Sequence, residues 1–262
     1  MDYVVITIAA LIVSALALYS GFGLGTLLMP VFALFFPLPI AVASTAVVHL
    51  SNNLFKVVLL GRKADWGIVL SFGLPALIFS IPGALILVNI SDISPIAIYH
   101  IGERYFEITI IKIVLSFLIL GFSVIELIPA FNKFNFPRNL VPIGGGLSGF
   151  FGGLSGHQGA LRSAVLTKTN LEPTEFAATI SICAFLVDTS RLITYGTTFI
   201  ARDFISISDG NSVLLVGVAT LAAFIGTYTS SRFLKKITKH FIRNLVGIML
   251  VAIGLGLGSG LI

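Results

Sequence analysis

Lys56, Lys112, Arg162, Asp188 and Arg191 all stand within long apolar stretches of this 262-residue sequence. Ionised side chains in hydrocarbon are costly, and they persist where they face a cavity or a partner. Four of these five are cations, so a cavity they line favours an anion. Arg162 sits in the middle of a short apolar segment, directly after the run Ser155-Gly156-His157-Gln158-Gly159. If a helix starts at that glycine break, its free N–H groups and positive dipole end can hold an anion together with Gln158 and Arg162. His157 adds charge there when protonated. Asp188 and Arg191 are three apart, a spacing that lets them pair on one helix face. Arg191 is also about a turn from its segment end and can snorkel to the surface, as can Lys56 toward the other side. His49, Asn53 and Lys56 fall near one face at i, i+4 and i+7. Interhelical hydrogen bonding accounts for His49, and Lys112 reads as an interface anchor.

The elements that must position these residues are apolar helices. Hydrophobic residues make up 56 % of the chain and charged residues 10 %, against about 25 % charged in soluble domains. Mean hydropathy is +1.05. Too few ions remain to coat a water-facing surface, so lipid is the solvent for much of it. A spanning helix needs roughly 20 apolar residues. The apolar segments read as about 4–20, 24–36, 39–60, 67–90, 106–128, 139–153, 158–168, 173–196, 211–231 and 241–261. The segments 24–36 and 158–168 are short, and each follows a glycine cluster: Gly21, Gly23 and Gly25 in the first, Gly152, Gly153, Gly156 and Gly159 in the second. Backbone groups freed by such breaks are tolerated in a bilayer only against protein or a wet cavity. The expected fold is therefore an all-α integral membrane protein of about eight to ten transmembrane or re-entrant helices with glycine-broken helices.

The chain also repeats itself. A shift of 134 positions places Gly25 on Gly159, Pro39 on Pro173, Ala43 on Ala177 and Thr45 on Thr179, without a gap. This predicts a first repeat over 1–128, a cytoplasmic linker over 129–138 and a second repeat over 139–262. Cytoplasmic loops are rich in Lys and Arg. The loop with Arg232, Lys235, Lys236, Lys239 and Arg243 is placed inside, together with Arg62, Lys63, Lys133, Arg138 and Lys168; loops 91–105 and 197–210 fall outside. Both termini are then external. An odd number of segments per half gives the two repeats inverted topology, an architecture of many secondary transporters. Nothing at the N-terminus reads as a cleavable signal, because Met1-Asp2-Tyr3 lacks the positive start.

Other chemistry has little support. There is no phosphate-binding Walker run, no nucleophile elbow, no deep carboxylate pair and no metal-spaced His/Cys/Asp set. Cys183 is the one cysteine, so no internal disulfide forms. No cofactor, no nucleic acid and no enzyme activity are expected. The expected partners are a small anion and the bilayer; a coupling ion (proton or sodium) and a homodimer stay open.

Two stretches resemble the TauE/SafE family of sulfite-exporter-like permeases. One is Ser20-Gly-Phe-Gly-Leu-Gly-Thr-Leu-Leu-Met-Pro30. The other is Gly149-Phe-Phe-Gly-Gly-Leu-Ser-Gly-His-Gln-Gly-Ala-Leu-Arg162, followed by Glu175-Phe-Ala-Ala-Thr179 and Asp188-Thr-Ser-Arg191. The resemblance implies transport of sulfite or an organosulfonate such as sulfoacetate across a plasma or inner membrane, with both glycine runs and their polar neighbours as the site. His157-Gln158 and Ser163-Ala164 depart from the commoner family pattern. The residues expected to bind substrate are Arg162, Gln158, His157, Gly159, Gly23, Gly25, Asn53, Lys56, Asp188 and Arg191. The leading expectation is a secondary transporter working by alternating access; an anion channel or a carboxylate permease is the alternative.

Overall fold

The computed structural model describes residues 2–20, 24–128, 138–166, 169, 171–197, 210–233 and 239–261. The first half holds α1 (Asp2–Ser20), α2 (Leu24–Ala33), α3 (Leu38–Leu60), α4 (Trp66–Ser91) and α5 (Ile110–Leu127). The second half holds α6 (Val141–Ser155), α7 (Gly159–Leu166), α8 (Pro173–Tyr195), α9 (Gly210–Phe233) and α10 (Lys239–Gly258). Prolines and glycines set the boundaries. Pro39 and Pro173 stand in the first turns of α3 and α8, where the missing N–H costs nothing. Gly156 ends α6 in the left-handed region at φ 78°, a conformation that a side chain resists.

The segment expected from residue 106 starts later. Ala97–Ile101 (β1) and Arg104–Ile108 (β2) form an antiparallel hairpin, with Ala97 opposite Ile108 and Ile101 opposite Arg104. Tyr99 stacks on Phe106 across the pair. Thr109 then caps α5, its hydroxyl accepting from the Lys112 N–H at 3.3 Å. Lys112 itself donates to the Glu107 carbonyl at 3.0 Å and the Gly260 carbonyl at 3.5 Å, tying the hairpin to the chain's end.

Leu38–Lys63, Trp66–Ser91, Pro173–Tyr195 and Val213–Ser230 are long and apolar enough to cross a membrane; Tyr3–Ala15, Ile110–Val124 and Gly247–Gly258 are shorter apolar helical stretches. The outward faces carry Val58, Phe117, Leu221 and Ile248, all exposed. His49, Asn52, Lys56, Asp188 and Arg191 are buried. Apolar outside and ionic inside is an arrangement that water disfavours and lipid permits. The protein is an integral membrane protein.

Helix pairing is reciprocal between the halves. α1 packs on α9 and α6 on α4; α3 packs on α8, and α5 on α10. Exchanging α1–α5 for α6–α10 leaves these pairs unchanged. The α4–α6 contact is backbone on backbone. A Cβ on Gly145, Gly149 or Gly153 would lie 2.3, 1.9 or 2.0 Å from the carbonyl oxygens of Phe72, Ala76 and Ser80. Spacing of four places these three glycines in one stripe. In the α1–α9 pair, a Cβ on Gly226 would lie 2.3 Å from the Leu11 carbonyl oxygen.

Candidate functional site

α3 and α8 pack against each other, and polar residues bond across their facing sides. The centre of the cluster is the Asp188 carboxylate, fully buried on α8. Its Oδ2 accepts from His49 Nδ1 at 2.7 Å and from Asn53 Nδ2 at 3.0 Å, both on α3. Its Oδ1 accepts hydrogen bonds from Arg191 Nε at 3.1 Å and Gln158 Nε2 at 3.3 Å, and it is ion-paired with Arg191 Nη2 at 2.8 Å. One carboxylate thus gathers donors from α3, from α8 and from the glycine break before α7. Burial of an ion is tolerated on such terms, because each lone pair finds a donor.

Gly25 meets the second glycine break beside this cluster. A Cβ on Gly25, early in α2, would lie 3.4 Å from the Gly156 carbonyl oxygen and 3.9 Å from the His49 ring. A Cβ on Gly156 would lie 2.8 Å from Arg191 Nη1. Ser148 of α6 donates to the Gln158 carbonyl at 3.0 Å, which fixes the chain as it turns into α7. Tyr195 donates to the Gly153 carbonyl from the far end of α8. Gly159 is the first residue of α7 and is buried. Gly23 lies outside the described residues.

Arg162, unlike Arg191, has no carboxylate within ion-pair distance among the described residues. It is 3 % exposed, and its Nε and Nη1 have no hydrogen-bond partner among the described residues. Its backbone N–H donates to the Gln158 carbonyl at 3.1 Å, so the two residues are successive turns of one start. Lys56 is 7 % exposed and lies near enough to the Arg162 guanidinium to be repelled by it. Neither Lys56 nor Arg191 snorkels: both point inward, although each is close in sequence to a helix end. A turn count gives depth along the helix but not the face.

His157 stands apart from the Asp188 cluster. Its Nδ1 hydrogen-bonds the Ser155 carbonyl at 2.8 Å, and its ring lies parallel to Phe122 of α5 with centroids 6.3 Å apart. Its Nε2 has no partner among the described residues. His49 is the member that sequence reasoning underrated. Its spacing to Asn53 and Lys56 was visible, but its direct bond to Asp188 depends on which helices abut. Asn52 beside it accepts from the Thr227 hydroxyl of α9 at 2.8 Å, a purely interhelical contact.

The set carries an excess of buried positive charge, which suits an anion. Two buried cations, Arg162 and Lys56, lack a carboxylate among the described residues, and the buried carboxylate they adjoin is already matched by Arg191. A family model described as Sulfite exporter TauE/SafE matches residues 6–257, nearly the whole chain. The chain belongs to the TauE/SafE family. No curated protein and no solved structure matches it. The family match agrees with the helical membrane fold, and the Gly149–Arg162 run that carries the sequence resemblance includes the break whose Gln158 donates to Asp188. Family membership places this protein among membrane transporters.

Proposed function

We propose that the protein is a secondary transporter that moves a small anion, sulfite or an organosulfonate such as sulfoacetate, by alternating access between two inverted halves. The observation that carries this reading is Arg162: a guanidinium 3 % exposed, with Nε and Nη1 lacking a hydrogen-bond partner among the described residues, beside a glycine-broken helix start. An unmatched cation in a membrane core lowers stability, and a bound anion removes that cost by supplying the missing acceptors. Planar Nε and Nη donors suit the oxygens of a sulfonate or sulfite. The reciprocal pairing of α1 with α9 and α6 with α4 supports a two-fold relation between halves, and the basic loops support opposite orientation and external termini.

Arg162→Met and Gln158→Ala variants in proteoliposomes test the site. Loss of a charge-assisted bond should weaken sulfite or sulfoacetate binding about 10- to 100-fold for Arg162→Met and roughly tenfold for Gln158→Ala. Arg162→Met should also melt at or above the wild-type temperature, since it replaces an unmatched charge with an apolar chain of similar length. Wild-type flux from both variants refutes the site.

A further inference from the structure

Asp188 occupies donors that would otherwise suit an anion. On its Oδ1 side stand Arg191 Nη2 at 2.8 Å, Arg191 Nε at 3.1 Å and Gln158 Nε2 at 3.3 Å. Gln158 belongs to the break that opens α7, the helix of Arg162, whose Nε and Nη1 have no hydrogen-bond partner among the described residues; Arg191 comes from α8. A second anion cannot share those donors while the carboxylate is charged, because two anions at contact distance repel strongly in a medium of low dielectric. On the Oδ2 side is His49 Nδ1 at 2.7 Å, a ring with a second nitrogen able to take a proton.

The geometry points to Asp188 as an internal stand-in for the transported anion, which yields its Oδ1 donors when Oδ2 is protonated through His49, so that one proton enters the site with each anion. This rests on the transport reading above and adds the coupling ion and its route. The proton balance is closed. An O–H bond of a hydronium ion breaks, leaving water, and its proton forms an N–H bond at His49 Nε2. The Nδ1–H bond breaks, and its proton forms an O–H bond at Asp188 Oδ2. His49 stays neutral, with its proton moved from Nδ1 to Nε2. Nδ1, now a lone pair, accepts from the new hydroxyl, so the acid keeps a partner. Arg191 and Gln158 then turn to the entering anion beside Arg162.

The charged and titratable groups around the pair fit this exchange. They are Lys56 on α3; His157 in the break; Arg162 on α7; Cys183, Arg191 and Tyr195 on α8. α2, α4 and α6 hold no titratable residue, and Tyr228 of α9 is 46 % exposed. No second carboxylate among these groups can take the proton instead. Entry of a monoanion with a proton leaves the buried charge as it was; a dianion such as sulfoacetate with one proton adds a single negative charge, which faces the cations Arg162 and Lys56, and that limits the electrostatic cost of loading the site.

The experiment uses the purified full chain, with sulfoacetate, which has no group titrating near neutral pH, as the probe. If one proton binds with the anion, the dissociation constant for sulfoacetate rises about tenfold for each pH unit between roughly pH 6 and 8. In proteoliposomes holding a pH-sensitive dye, sulfoacetate entry by wild type acidifies the lumen. Asp188→Asn, which holds the neutral form permanently, shows a dissociation constant that does not vary with pH and no proton movement. His49→Gln keeps a donor to Asp188 but has no second ring nitrogen; its flux falls about a hundredfold as the proton route is lost, which decides the matter if Asp188→Asn does not fold. Sulfoacetate flux by wild type without acidification overturns the proposal. So does a folded Asp188→Asn that fails to bind or retains the pH slope, and so does His49→Gln with full flux. Absence of binding and flux for sulfoacetate and sulfite alike in wild type overturns the transport reading itself, and this inference with it.

Discussion

Gly149→Ala should separate the two central helices α4 and α6. The added Cβ would lie 1.9 Å from the Ala76 carbonyl oxygen and 2.5 Å from its Cα. These are backbone atoms, so no side chain can swing aside. Ordinary contact begins at 3.4 Å, so the helices must part by about 1.5 Å at this point, a distance that forfeits half or more of the dispersion between the atoms along the seam. The same displacement pulls Gly145 from Phe72 and Gly153 from Ser80. Overpacking of this kind costs about 1–3 kcal/mol and more when backbone must move; the rigid seam puts Gly149→Ala near the upper end, about 3 kcal/mol. A melt of the detergent-solubilised protein should then drop by roughly 10 °C. Two neighbours serve as controls. A Cβ on Gly146 would meet the Phe79 ring at 3.4 Å, and one on Gly121 meets nothing within 4 Å. Gly146→Ala should be nearly neutral, and Gly121→Ala should gain a few tenths of a kcal/mol or up to about 1 from helix propensity. Equal melting temperatures for Gly149→Ala and Gly121→Ala would refute the argument.

Arg191→Met strips the Oδ1 side of Asp188 of its charged partner and leaves the carboxylate buried with neutral donors. It should cost about 3–5 kcal/mol, read as a lowered melting temperature or loss of monodisperse protein on size exclusion. Tyr195→Phe removes the hydroxyl that donates to the Gly153 carbonyl and leaves that oxygen unmatched. A loss of about 1–3 kcal/mol is expected by the same melt, and an unchanged melt would remove that bond from the account.

Much of the helical plan was legible because lipid solvation demands long apolar runs and because proline and glycine punctuate them. The segment expected at 39–60 is α3 at Leu38–Leu60, and the one expected at 173–196 is α8 at Pro173–Tyr195. The hairpin at 97–108 was not legible. Arg104–Ile108 contains Tyr, Phe and Ile, and it borders an apolar helix closely enough to read as its start; what makes it a strand is pairing with Ala97–Ile101, which no local period encodes. The Asp188–Arg191 pair was visible from spacing alone, since i and i+3 share a helix face. The bonds from His49, Asn53 and Gln158 to Asp188 were not. The first two depend on α3 packing against α8, with residues about 135 positions apart in the chain, which no local spacing encodes. For the same reason Lys56 and Arg191 looked able to reach the surface, although the helix faces that carry them are covered.

The pairing of α1 with α9 and of α6 with α4 bears on how the chain is assembled during synthesis. Helices leave the ribosome in order, yet α1 does not meet its main neighbour until almost the whole polypeptide has been made. Until then the α1 face with Ser14 waits in lipid or against a chaperone, and so does the α4 seam that receives the α6 glycines. Neither half can close alone. A nascent chain halted after α5 is therefore a client for membrane quality control, and two separately translated halves should recover the fold only when both are present in the same bilayer.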